Sequence, residues 1–261
     1  MRLVARALPA DQAAILLAAL ARVRAAGPSA VAVFDLDSTL LDNRPRQAAI
    51  LRDYGAEAGL PALHGARPEH FTSWDLARAL ERTGLGRAEA RRHAGPFREF
   101  WEERFFTNRY CRLDVPVAGA PEFTRTVHAA GGRIVYVTGR PAAMRTGTLE
   151  VLRAFGFPLP DGAAVTLLMK PGKALRDDAW KAVARDAVEA RGTPVLVLDN
   201  EPAHVNAYAR AWPGALAIHL DTDHSGRPVE VDPSIPSVLD LQLPADAKII
   251  AGAADARAGA R

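Results

Sequence analysis

The sequence predicts an α/β protein with a doubly wound, Rossmann-like parallel sheet and a helical subdomain inserted into it. Two observations predict this class. From about residue 116, short apolar runs rich in β-branched residues alternate with helical stretches, as in a parallel sheet covered on both faces. Between 43 and 115 the chain is dense in Ala, Arg, Glu and Leu, which favours inserted helices over one very long loop.

The spacing of apolar residues and the positions of Gly and Pro predict the helices and strands of the core. The first helix is predicted at 9–26, where apolar residues recur at helical spacing before Gly27-Pro28. A buried strand follows at 31–34. The later helices are expected at 121–130, 142–155, 177–191 and 202–212, and the later strands at 133–138, 165–169, 194–198 and 215–220.

The predicted domain organisation has a core of residues 1–42 and 116–244, in which 1–28 carry the N-terminal helix. Residues 43–115 form the helical insertion, with helices at 47–58, 74–83, 87–94 and 96–106 separated by Gly and Pro. Residues 245–261 are Ala-, Gly- and Arg-rich and are predicted to be a flexible tail.

Composition narrows the class of protein. With 261 residues, 49% of them hydrophobic, the chain can bury a large core without disulfides. Cys111 is the only cysteine, which fits a reducing compartment. The net charge is +3 with both signs interleaved, so nucleic-acid binding is not indicated. The apolar stretch 13–21 is too short to span a bilayer, and we expect a cytoplasmic protein without membrane attachment.

Two carboxylates follow the first predicted strand. Asp35 and Asp37 are two positions apart, and on an extended backbone such residues point to the same side. They lie at the carboxyl end of a parallel strand, where open α/β sheets bind their ligands. This is the first candidate for a catalytic site.

Other predicted strands also end in polar residues. Thr138 and Gly139 end the second strand and are suited to binding phosphate oxygens through a hydroxyl and a backbone amide. Asp199 ends a later strand, and Asp35 and Asp199 together could hold a hard cation such as Mg²⁺. A cation to offset the negative charge could come from any of three lysines: Lys170, Lys173 and Lys181.

Four segments, VFDLDST, VYVTGR, DDAWK and VLVLDNE, resemble, in this order, the four signature segments of the haloacid dehalogenase (HAD) superfamily. The insertion is similar to the helical cap of one large HAD subgroup. The resemblance implies a phosphatase-type enzyme that transfers a phosphoryl group through an aspartyl-phosphate, with Mg²⁺ as cofactor. An Asp at position 37 favours a phosphatase over a dehalogenase, which needs no acid for its leaving group.

The resemblance also implies residue roles. Asp35 is the nucleophile and Asp37 the general acid and base, whose pKa we expect to be raised by nearby carboxylates. Lys181, 18 positions before Asp199 (199 − 181), is preferred as the catalytic lysine, with Lys173 as the alternative. Thr138 and Gly139 would bind the phosphoryl group, and Asp35, the Asp37 carbonyl and Asp199 would bind Mg²⁺.

Some positions stay open at this stage. The second acid of the fourth segment is replaced by Asn200 or Glu201, which leaves the second metal-shell group undefined. Three arginines in or near the insertion, Arg44, Arg46 and Arg109, could reach a second anionic group, but surface positions are expected for them. The aromatic residues from 97 to 105 recur at helical spacing and are expected to pack within the insertion.

The predicted function is hydrolysis of a small phosphorylated metabolite. A phosphotransferase or phosphomutase would use the same residues. A nucleic-acid 3′-end phosphatase is the next alternative, since DDAWK resembles such enzymes, but a helical cap would obstruct a strand end. A catalytically inactive protein that binds a phosphorylated ligand or a partner is the alternative of another class.

Overall fold

A six-stranded parallel sheet forms the centre of the structure, a computed structural model that describes residues 9–244. The order of its strands is β5-β4-β1-β6-β7-β8. The expected flexible tail at 245–261 lies outside the described residues. The strands are β1 (Ala30–Phe34), β2 (Leu41–Asp42), β3 (Val115–Pro116), β4 (Arg133–Pro141), β5 (Val165–Lys170), β6 (Thr193–Asp199), β7 (Leu216–Leu220) and β8 (Ser237–Val238), of which β2 and β3 form a separate antiparallel pair.

Helices cover both faces of the sheet, as the alternation predicts. Successive residues of β1 point to opposite faces: Phe34 packs in the cluster that contains Leu20 and Phe123, and Val33 packs in the cluster with Trp212. The helices are α1 (Pro9–Ala26), α2 (Arg44–Glu57), α3 (Leu76–Thr83), α4 (Arg87–Phe105), α5 (Asn108–Cys111), α6 (Ala120–Ala129), α7 (Arg145–Ala154), α8 (Asp177–Glu189) and α9 (Pro202–Ala211).

The register aligns the ends of three strands. Phe34 lies opposite Tyr136 of β4 and Leu198 of β6. The residues that follow Phe34 and Leu198 are Asp35 and Asp199. Both carboxylates therefore leave the sheet at the same edge.

Helices α2 to α5, termed here the inserted helices, lie between β2 and β3. They have a hydrophobic cluster of their own, which includes Tyr54, Phe71 and Phe97. The antiparallel pairing of Leu41 with Pro116 and of Asp42 with Val115 joins the two ends of this segment. The insertion thus leaves and rejoins the core at neighbouring points.

Some elements of the structure differ from those expected from the sequence. The helices expected at 87–94 and 96–106 are one helix, α4, which continues through Pro96. Strand β4 continues through Thr138–Arg140 to Pro141, and the short β8 at the sheet edge was not predicted. Within residues 9–244, no helix is both long and apolar enough to cross a membrane.

Candidate active site

A buried lysine joins two carboxylates at the carboxyl edge of the sheet. Lys181 Nζ of α8 lies 2.8 Å from Asp35 Oδ1 and 2.6 Å from Asp199 Oδ2. Asp35, Lys181 and Asp199 are all at most 6% exposed. Strands β1 and β6 are neighbours in the sheet, and α8 packs beside them, so residues from three distant segments meet here.

Burial and mutual charge shift the pKa values of this group. Burial, together with the charges of Asp199 and Asp37, raises the pKa of Asp35 to about 7 despite the opposing effect of Lys181. Burial would also raise the pKa of Asp199, but Lys181 and His204 outweigh it and hold that pKa below its ordinary value. The pKa of Lys181 is raised because the two carboxylates outweigh its burial. Lys181 is therefore charged, while burial disfavours the ionised form of Asp35 despite its contact with Lys181.

The other two candidate lysines lie elsewhere. Lys170 pairs with Asp177 at 2.5 Å. Lys173 donates to the Glu102 carbonyl at 3.1 Å and lies 5.2 Å from the Phe106 ring centroid. Of the three lysines, Lys181 is the one placed at the carboxylates of the site.

The Asp37 carboxylate accepts hydrogen bonds from two arginines. Arg140 Nε donates to Asp37 Oδ2 at 2.7 Å, and Nη2 of the same arginine donates to Oδ1 at 3.0 Å. Arg46 Nη2 donates to the same Oδ1 at 2.9 Å. Burial would raise the pKa of Asp37, but the two guanidinium groups outweigh it and hold that pKa well below its ordinary value. The expectation of a raised pKa is therefore wrong, because it omitted these arginines.

Asp114 completes a buried cluster of two aspartates and two arginines. Arg46 Nε donates to Asp114 Oδ1 at 2.8 Å, and Arg140 Nη2 donates to Asp114 Oδ2 at 2.5 Å. Arg46 and Asp114 are fully buried, so the surface position expected for Arg46 is wrong. Neither residue stands in a recognisable motif: each lies at one junction of the insertion, and only the pairing of β2 with β3 brings them together.

The two predicted phosphate-binding residues differ in position. Gly139 lines the cavity described below, and a Cβ there would lie 2.5 Å from a carboxylate oxygen of Asp177, so a larger residue would push the Asp177 side chain aside. Thr138 is fully buried, and its hydroxyl accepts a hydrogen bond from the Arg140 amide at 3.2 Å.

The residues after Asp199 hold the surrounding loops. The backbone N–H of Asn200 donates to Thr39 Oγ1 at 3.0 Å. The Glu201 carboxylate accepts hydrogen bonds from the Ser225 amide and hydroxyl at 3.0 and 2.8 Å. His204 Nδ1, which sequence reasoning did not single out, is buried without a hydrogen-bond partner, 3.7 Å from Asp199 Oδ1.

A cavity of about 250 Å³ opens above these groups. Its floor includes Asp35 and Lys181, and its other side is formed by aromatic residues of the insertion. Of the aromatic segment at 97–105, Phe105 packs within the inserted helices and also reaches this cavity. The lining residues are Asp35, Asp37, Trp74, Phe105, Phe106, Gly139, Arg140, Asp177, Lys181, Asn200, Glu201, His204 and Ser225.

The comparison with known families agrees with this geometry. The model of the haloacid dehalogenase-like hydrolases matches residues 32–158, which include Asp35, Asp37 and the Thr138-Gly139 segment. The segment 32–158 is a haloacid dehalogenase-like hydrolase domain. No curated protein matches it significantly.

A solved structure with a similar fold supports the α/β architecture of this chain. A candidate phosphatase from Clostridium difficile superposes with a TM-score of 0.52 at 14% identity, covering 86% of this chain and 99% of that chain. A candidate phosphoglycolate phosphatase from Haemophilus somnus has a TM-score of 0.49 at 17% identity, covering 84% and 96% of the two chains. At such identities the likeness concerns the fold.

The donors of this HAD-like hydrolase fit a hard divalent cation. Asp35 and Asp199 are buried oxygen donors, and the pKa of Asp35 is raised because its burial outweighs the stabilisation of its ionised form by Lys181. The Asp37 carboxylate faces the arginines and is not a donor to this site. Across the described residues, no three His, Cys, Asp or Glu side chains could hold a metal by themselves, so a cation here would keep several water ligands, as Mg²⁺ usually does.

We expect Arg46→Met to destabilise the protein by about 3–5 kcal/mol, because the carboxylates of Asp37 and the fully buried Asp114 would then share Arg140 alone. The matched control is Arg44→Met, whose ion pair with Asp42 has an arginine side chain 41% exposed and should be worth less than about 1 kcal/mol. Urea denaturation of both variants measures the difference. Equal midpoints for the two variants would contradict a structural role for the buried cluster.

Proposed function

We propose that this protein is a Mg²⁺-dependent phosphatase that hydrolyses a small phosphorylated metabolite through an aspartyl-phosphate on Asp35. The observation that carries the proposal is that Lys181 joins Asp35 to Asp199, and that Asp35 and Lys181 both line one cavity. A carboxylate nucleophile divides the hydrolysis into two easier displacements.

In the first displacement, Asp35 attacks phosphorus and the bond to the leaving oxygen breaks. The transition state is loose and spreads negative charge over the phosphoryl oxygens. Lys181, whose Nζ lies 2.8 Å from Asp35 Oδ1, would offset that charge. The backbone amide of Gly139, together with Thr138, is proposed to bind the phosphoryl oxygens. Preorganised charge of this kind is a large part of phosphoryl-transfer catalysis.

Asp35, Asp199 and the Asp37 carbonyl are the residues that would hold Mg²⁺. The ion would reduce the repulsion between the carboxylates and an anionic substrate, and so supply electrostatic catalysis.

Asp37 is the proposed acid for the leaving oxygen and then the base for the attacking water. Arg140 and Arg46 favour its ionised form, which is the form that accepts a proton from water in the second displacement. Donation in the first displacement requires the protonated form, so this step works against the arginine pair. Asp37 is thus better prepared for the hydrolysis of the aspartyl-phosphate than for its formation.

The cavity favours a small substrate. Its volume of about 250 Å³ is below the range of pockets that hold drug-sized ligands, and the inserted helices form part of its wall. We therefore favour a metabolite over the end of a nucleic-acid strand.

The direct test is a screen of phosphomonoesters with and without Mg²⁺. We expect phosphate release that falls at least about 100-fold in EDTA and returns when excess Mg²⁺ is added, because the buried carboxylates repel an anionic substrate without it. Ca²⁺, which is larger and takes more ligands, should restore less activity. Full activity in EDTA would contradict the metal dependence, and no hydrolysis of any ester would contradict the proposed function.

A further inference from the structure

The charged groups of the cavity leave no cation for a second anionic group of a substrate. Of the described residues that line it, the strong bases are Arg140 and Lys181. Arg140 is bound by two carboxylates, those of Asp37 and Asp114, and Lys181 is bound by those of Asp35 and Asp199. Lys181 and the cation are committed to the phosphoryl group in the proposed mechanism.

The remaining charged wall is acidic. Asp177 and Glu201 line the cavity together with Ser225. Lys170 pairs with Asp177, and Arg227 pairs with Glu201, but neither of these cations lines the cavity. A carboxylate or second phosphate on the substrate would therefore meet two acids and lose its hydration without gaining an arginine or lysine partner.

Three aromatic residues of the insertion, Trp74, Phe105 and Phe106, line the same cavity. Trp74 and Phe106 are half-buried, and Phe105 lies behind them. The Trp74 and Phe105 rings are edge to face with centroids 5.5 Å apart, and those of Phe105 and Phe106 are 5.0 Å apart. Phe105 also packs against Trp101, with centroids 4.2 Å apart. Such mutual packing fixes the rings, so their faces are ready to receive a flat group at little entropic cost.

From the charges and the rings together we infer that the substrate is a phosphomonoester whose organic part carries a flat unsaturated ring and no second anionic group. The inference rests on the proposed phosphatase activity and adds the class of leaving group. Trp74 and Phe106 are the residues that would contact the ring. Phosphorylated sugar acids and bisphosphates are excluded by the same charges.

Three synthetic esters test the two parts of the inference separately. Benzyl phosphate carries a ring and no second charge, 4-carboxybenzyl phosphate adds an anion, and ethyl phosphate lacks the ring. All three are primary alkyl esters, so their leaving groups differ little in basicity. We expect kcat/KM for benzyl phosphate to exceed that for each of the others by about tenfold or more.

Variants of Trp74 locate the ring contact. Trp74→Leu should lower the ratio of kcat/KM for benzyl to ethyl phosphate about tenfold, and Trp74→Phe should restore most of it. The ratio does not depend on how much of a variant is folded, so partial unfolding cannot produce the change. Phe100→Leu is the matched control, since Phe100 is an aromatic residue of the inserted helices outside the cavity, and its ratio should equal that of the wild type.

Each result bears on a different statement. Ethyl phosphate as good as benzyl phosphate, or an unchanged ratio in Trp74→Leu, overturns the ring contact. A carboxybenzyl ester as good as benzyl phosphate overturns the exclusion of a second anion. In either case the phosphatase activity itself stands. A wild-type protein that hydrolyses none of the three esters, nor any ester of the wider screen, overturns the proposed function and this inference with it.

Discussion

Asp35→Asn is expected to lower kcat on the order of 10⁴-fold or more, because it removes the nucleophile and not merely a charge. The measurement is phosphate release at saturating substrate with Mg²⁺, together with trapping of the aspartyl-phosphate by hydroxylamine in the wild type. Asp42→Asn is the matched control: Asp42 is the first acid after Asp37, pairs with Arg44 and lies outside the cavity. It should keep activity within about twofold of the wild type. Retained activity in Asp35→Asn would refute the covalent mechanism.

The same variant should be more stable than the wild type in EDTA. The folded protein raises the pKa of Asp35 from 3.8 to about 7, so its ionised form is disfavoured by folding. This penalty appears as the pH rises above about 4 and is complete above pH 7, where it amounts to as much as about 4 kcal/mol. Asn carries no charge, so urea denaturation should show a gain at pH 8 that shrinks at pH 5. If Asp35→Asn instead lowered the stability at pH 8, the raised pKa of Asp35 in the folded protein would be contradicted.

Lys181→Met is expected to lower kcat about 10²–10³-fold, the usual effect of removing one preorganised charge from a transition state. It should also destabilise the protein by about 3–5 kcal/mol, because Asp35 and Asp199 would face each other without their shared cation. Kinetics and urea denaturation on the same preparation measure both effects.

Lys170→Met and Lys173→Met are the matched controls for the choice of lysine. Lys170 pairs with a half-exposed carboxylate, and Lys173 donates to a backbone carbonyl at the surface. Both should keep kcat within about threefold of the wild type. If Lys173→Met were the inactive variant and Lys181→Met were active, the assignment of the catalytic lysine would be reversed.

The convergence of Asp35, Lys181 and Asp199 could be predicted from the sequence because it follows from sheet geometry. Parallel strands end at a common edge, so acids placed just after two buried strands are brought together whatever lies between them in the chain. The helix that precedes β6 packs on the same sheet, which places a lysine in its first turns near that edge. The spacing of either Lys181 or Lys173 from Asp199 is compatible with the family resemblance. Only the three-dimensional contacts of the two lysines distinguish them.

The Arg46–Asp114 contact could not be predicted in this way. The two residues are 68 positions apart, and each is surrounded by residues typical of a solvated helix end or loop. A charged residue is buried only when a partner is buried with it, and no local pattern identifies such a partner. The error in the pKa of Asp37 follows from the same gap: Arg46 and Arg140 could be read in the sequence, but their hydrogen bonds to Asp37 could not. Pro96 led to the prediction of two helices where the structure has one, α4. The packing of the inserted helices outweighs the cost of one proline inside α4.

The attachment of the insertion makes the protein modular. Residues 43–114 leave the core after β2 and return before β3, which are paired side by side, so a foreign segment could be grafted between them without moving β1 or β4. Such an exchange removes Arg46 and Asp114 together, one positive and one negative group. Asp37 and Arg140 would remain as a neutral pair, joined by two hydrogen bonds. Chimaeras could therefore change the wall that selects substrates while the acid at position 37 keeps its counter-ion.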